Sequence, residues 1–78
     1  MKRERYVIKN NLPDGIITPT GEFTRRNALQ HFLGLVNFFE TNNYFVKVIL
    51  RNERNKPLRG TIQVEVDKFY YYVEIMPL

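Results

Sequence analysis

The side chains able to do covalent or acid–base chemistry in this sequence are few, and their types exclude more than they permit. Its 78 residues include no serine and no cysteine. Ser and Cys nucleophiles are therefore excluded, as are a disulfide and a thiolate metal site. His31 is the single histidine, so a His-pair metal site cannot form within one chain. A general base would also need a partner and a pocket, of which the sequence shows no sign. Asp14, Glu22 and Glu40 are scattered and make neither a carboxylate pair nor a cation-ligand set. Gly15, Gly21, Gly34 and Gly60 fit neither a P-loop nor a dinucleotide fingerprint. The expectation is a protein that is not an enzyme, carries no cofactor and acts by contact.

Three groups could make such contacts. The segment 51–59 carries Arg51, Arg54, Lys56 and Arg59 against a single acid, Glu53. A basic hairpin tip can track phosphates or enter a groove, because Arg and Lys contacts supply most non-specific affinity for nucleic acid. A solvated turn would be rich in charge for the plainer reason that loops face water. The second group is Arg25 and Arg26, at the start of an expected helix. The helix dipole disfavours cations there, whereas free amides plus two guanidiniums suit an anion such as phosphate. Pairing with Glu22, or packing over Tyr or Phe, is the structural alternative and the favoured one, since exposed helix-end charges are tolerated cheaply.

The third group is Tyr70 and Tyr72, two residues apart on one expected strand face with Lys47 and Arg51 nearby. Aromatics flanked by cations can stack unpaired bases. Tyr is also an ordinary strand residue and a favoured protein-interface residue, and Glu65 and Glu74 on the same face would repel phosphate. His31 falls on the polar side of the helix with Asn27, Gln30 and Gly34, which marks it as a surface or boundary residue.

The helix that must position these groups runs from Thr24 to Thr41. Ala28, Leu29, Phe32, Leu33, Leu35, Val36 and Phe39 recur at the spacing of one helical face. Thr24 is the expected N-cap, and Asn42-Asn43 can supply a left-handed C-terminal residue without glycine. Gly34 sits mid-helix, where the usual structural reason is close approach of another backbone. Before the helix, residues 1–5 lead into a short strand at 6–9, and Leu12-Pro13-Asp14-Gly15 forms a turn. Ile16–Thr18 is expected to pair back as a second strand, stopped by Pro19.

After the helix come three strand signals: 44–51, then 61–66 beyond a polar loop, then 69–76. A two-residue turn at Asp67-Lys68 would set Val66 against Phe69, Val64 against Tyr71 and Ile62 against Val73, all on the core side. Val46, Val48 and Leu50 would then face inward, leaving Lys47, Ile49 and Arg51 outward. The expected architecture is α+β, ββαβββ, one amphipathic helix laid across an antiparallel sheet in a single domain spanning 1–78.

Composition sets the remaining bounds. A chain of this length buries only about 60% of its unfolded surface, and six Phe with five Tyr partly offset that. Twelve Lys and Arg against eight Asp and Glu leave a net charge of +4, a mild bias towards polyanions. The opening Met-Lys-Arg-Glu-Arg has no apolar run after it to make a signal peptide, and no apolar stretch is long enough to span a bilayer. A soluble, cytoplasmic protein with no membrane partner is expected.

Val48–Asn52, Leu58–Ile62 and Asp67–Phe69 resemble the first motif of the Sm and Lsm RNA-binding proteins. The likeness is confined to residues 48–69, and four departures stand against membership. The 48–62 connection is longer than in that family, and a residue is added before Asp67. Tyr71 stands where that family's RNA-contacting Asn would be, and the family's last two strands are not represented. No family is assigned on it. The functional expectation is a small binding module for nucleic acid, acting through Arg51, Arg54, Lys56 and Arg59 with Lys47, Arg25 and Arg26, and with Tyr70 and Tyr72 as stacking or interface residues. The alternative is a protein-binding adaptor or inhibitor of the phage or mobile-element accessory type. It would use the tyrosine-bearing face or an exposed edge strand, and a homodimer is compatible with it.

Overall fold

The computed structural model describes residues 4–78; of the lead-in expected at 1–5, residues 1–3 lie outside them. The order of elements is β1 (Tyr6–Asn10), α1 (Arg25–Thr41), β2 (Phe45–Arg51), β3 (Arg59–Val66) and β4 (Phe69–Pro77). The four strands form one antiparallel sheet in the order β1-β4-β3-β2, with α1 packed across one side. This is the expected α+β class. Among the described residues no helix is long and apolar enough to cross a membrane.

The helix forms where its periodicity and caps require. Thr24 is extended and its hydroxyl accepts from the Asn27 amide at 3.2 Å. Beyond the last turn Asn43 adopts φ 63°, the left-handed residue expected after the helix. Ala28, Phe32, Leu35 and Phe39 are buried along one stripe. They meet Tyr6 and Ile8 of β1, Ile62 and Val64 of β3, and Val73 and Ile75 of β4. Phe39 also sets its ring edge-on to Tyr44 at 5.7 Å.

The register of the last hairpin is the expected one: Val66 opposes Phe69, Val64 opposes Tyr71 and Ile62 opposes Val73. Asp67 and Lys68 both take positive φ, 50° and 70°. That is the pattern of a two-residue type I′ turn, whose twist matches the flanking strands. Tyr70, Tyr72 and Glu74 accordingly face away from the helix.

Two expectations are corrected. Ile16–Thr18 does not form a strand. The free side of β1 is taken at Tyr6 by Phe23, through two 2.8 Å backbone hydrogen bonds. Its other side pairs along five residues with β4. The intervening segment is instead closed by the Asn10 amide, which donates to Thr18 Oγ1 at 2.6 Å, and by the Leu12 amide, which donates to Asn10 Oδ1 at 3.0 Å. The Pro-Asp-Gly turn is present, with Gly15 at φ 97°, but tertiary pairing to the last strand displaces the local hairpin. The second correction concerns Gly34, which faces open space, with nothing within 4 Å of where a Cβ would stand. The close approach is at Gly60, where a Cβ would meet Phe32 Cζ at 2.9 Å and Leu50 Cδ1 at 3.2 Å.

Candidate functional site

Helix start and β2–β3 loop are joined by one side chain. Arg25 Nη1 donates to the Lys56 carbonyl at 2.6 Å, and its Nη2 donates to the Glu53 carbonyl at 2.9 Å and Asn52 Oδ1 at 3.2 Å. Nη1 also stands 3.5 Å from the Glu4 carboxylate. Arg25 thus gives its planar fork to backbone oxygens, a use for which guanidinium geometry suits it and ammonium does not. Beneath this tie lies Tyr6, fully buried, whose hydroxyl donates to Glu4 and accepts from the Leu58 amide at 3.1 Å. Burial, and then the hydrogen bond to Glu4, raise the Tyr6 pKa above its usual value. The loop is therefore anchored from one side by Arg25 and from below by Tyr6.

The cations this anchoring holds up are Arg51 and Arg59, directly opposite each other across β2 and β3. Leu50 points inward against the Gly60 position, so its neighbour Arg51 points outward. Like charges facing across a sheet destabilise the pair unless something negative lies between them. Among the described residues neither Arg51, Arg54 nor Arg59 makes an ion pair, whereas Lys56 is held 3.1 Å from Glu53. Arg54 is exposed in the loop, and Arg26 is exposed on the first turn of α1.

Further along the same outer face Lys47, Gln63 and Tyr72 form a row across three strands, and Phe45, Glu65 and Tyr70 form another. Phe45, Lys47, Gln63, Glu65 and Tyr70 surround one shallow depression. Glu74 pairs with Lys9 on β1 and with Thr61 on β3. The structure therefore brings Lys47, Arg51, Arg59, Tyr70 and Tyr72 to one face. Arg25 is brought to the loop's inner side as a strut, and the two acids are interleaved with the tyrosines. His31 lies exposed outside this face, its ring 4.7 Å from that of Phe23. Among the described residues no group of three or more His, Cys, Asp or Glu side chains could hold a metal ion.

Sequence reasoning placed the residues of this face but missed how bare β2 is. Val48 and Leu50, expected inside, are 40% and 36% exposed, and outward Phe45 and Ile49 are 79% and 63% exposed. The signal lay in the length of the segment: one helix cannot cover four strands, and the order that puts β2 at an edge depends on the remote pairing of β1 with β4.

The chain matches no known family model. Nor does any curated protein or solved structure match it significantly.

Proposed function

We propose that this protein is a small non-catalytic binding module whose partner is nucleic acid. The observation that carries the reading is the Arg51–Arg59 pair, two guanidiniums opposed on the uncovered face with no acid set between them. A phosphate is the group that relieves such a pair, and bidentate guanidinium contacts are its usual partners. Lys47 lies on the same outward face of β2, Arg54 is an exposed cation in the loop between the two arginines, Arg26 is a further exposed cation at the start of α1, and Tyr72 beside Gln63 offers a surface on which a base could stack. Arg25 acts through the loop it holds, and Lys56 is half-neutralised by Glu53.

The test is fluorescence anisotropy with labelled single-stranded and duplex oligonucleotides. If three to four phosphates are neutralised, duplex affinity falls about 40- to 150-fold between roughly 50 and 200 mM salt. Arg51→Ala with Arg59→Ala should weaken binding by about tenfold or more and flatten that slope. Salt-independent binding, or an unchanged affinity in the double variant, removes the reading.

A protein-binding adaptor or inhibitor is the second reading. It is favoured by the apolar exposure of Phe45, Ile49 and Tyr70 and by the acids Glu65 and Glu74 beside them. Recovery of one stoichiometric protein in a pulldown that nuclease does not disturb distinguishes it from the first.

A further inference from the structure

The other edge of the sheet is treated very differently from β1. There, Phe23 takes both free backbone bonds of Tyr6, and Thr18 accepts from the Asn10 side-chain amide. At β2 seven residues pair with β3 on one side in an unbroken register, and among the described residues no backbone hydrogen bond is made on the other. The strand has no proline, glycine or bulge to blunt it, and only its cations resist association. It exposes apolar side chains on both faces: Val48 and Leu50 are open on the helix side, Phe45 and Ile49 on the other. The helix adds to this surface. Arg25, Leu29, Leu33 and Val36 lie along one flank of α1 at helical spacing. Arg25 reaches the loop after β2, so that flank faces the β2 side, where Leu33 is 48% exposed.

We infer that two copies of this chain pair β2 to β2, antiparallel, about a two-fold axis at Val48, making one continuous eight-stranded sheet from two sheets of four. The occupant is a second copy because the strand complements its own reverse. Outward residues run Phe45, Lys47, Ile49, Arg51, and inward residues run Val46, Val48, Leu50. With the axis at Val48, Phe45 meets Arg51 of the second copy, Lys47 meets Ile49, and Val46 meets Leu50. No cation faces a cation, each Arg lies beside a Phe ring, and the inward set is wholly apolar. Moving the axis back one residue sets Lys47 on Lys47, and moving it forward one sets Lys47 on Arg51. Among the registers that pair five or more residues of β2, charge therefore selects this one. Both helices fall on the same side of the joined sheet, with the Leu33 flanks turned towards each other. Arg51 and Lys47 belong to both readings, but the inference does not require them to bind phosphate, and its Val48 variants leave the Arg51–Arg59 pair intact.

Sedimentation equilibrium of the full chain over low to high micromolar concentration should reach twice the mass of one chain. Val48→Lys, at a partly exposed position, should keep the circular dichroism spectrum and raise the dimer dissociation constant about tenfold or more, since like charges then meet on the axis. Because the chain has no cysteine, a single introduced thiol reports the register. Val48→Cys should oxidise rapidly to a covalent dimer, while Lys47→Cys and Ile49→Cys, each opposite a different residue, should not. A monomer at every concentration overturns the inference, and so does a dimer indifferent to Val48→Lys or faster crosslinking at 47 or 49. A monomer that takes a foreign strand on β2 also overturns it, assigning the edge to another protein.

Discussion

At the scale of single residues, Tyr6 shows how one buried polar group ties three remote parts together. It is fully buried, accepts from the Leu58 amide and donates to Glu4, whose carboxylate also faces Arg25. Tyr6→Phe leaves the Leu58 N–H without its partner in a buried place, at a cost of about 1–3 kcal/mol. Chemical denaturation of the two proteins at neutral pH measures it. The Tyr6 pKa is raised above its usual 10.0, first by burial and then by the bond to Glu4. A raised folded-state value means that the contribution is complete below that usual value and is lost as pH climbs through the higher folded one. Wild-type stability should therefore fall at alkaline pH by more than that of Tyr6→Phe, a difference that parallel melts across the range will show.

The two glycines 34 and 60 make a matched pair at the same scale. Gly34→Ala should stabilise by about 1 kcal/mol, since it faces open space on a helix. Gly60→Ala should destabilise by about 1–3 kcal/mol, because Phe32 is fully buried and cannot yield to a Cβ placed 2.9 Å away. Opposite signs in urea midpoints are the expected result.

At the scale of elements, the β3–β4 turn is where local chemistry is least favourable. Lys68 holds φ 70° in a position that glycine occupies at no steric cost. Lys68→Gly should raise stability by about 0.5–1 kcal/mol, after allowing for the extra freedom of glycine in the unfolded chain. A thermal melt of the variant tests this.

The helix, its Thr24 cap and the strand alternation in β3 and β4 were legible in the sequence, because each rests on spacing within one segment. Ile16–Thr18 was misread because a Pro-Asp-Gly turn speaks only for its neighbours, whereas β1 finds its partner near the other end of the chain. In the candidate site, Lys47, Arg51, Tyr70 and Tyr72 were legible from period-two alternation alone. The role of Arg25 was not, since it depends on carbonyls about thirty residues away that only folding brings within reach.

At the scale of the whole molecule, one helix serves four strands, and coverage is uneven. The core concentrates under β1, β4 and β3, while β2 stands half-dressed at the rim. Contacts with other molecules are therefore expected from the uncovered face and from that rim. The salt response proposed for the Arg51–Arg59 strip and the self-association proposed for β2 probe these two regions separately. A hydrophobic edge of this length is also the natural starting point for aggregation once concentration rises without a specific partner.

The Leu78 amide donates to the Arg5 carbonyl at 2.8 Å, and Tyr6 lies opposite Pro77. Both ends of the described chain thus leave from one corner, and β4 and β3 separate β1 from β2, a span of roughly 14 Å at about 4.8 Å per strand. Anything grafted at either end, whether a reporter, a solid support or a second module, hangs from that corner. Immobilised so, the molecule would present its bare margin outward, unobstructed by its own tether.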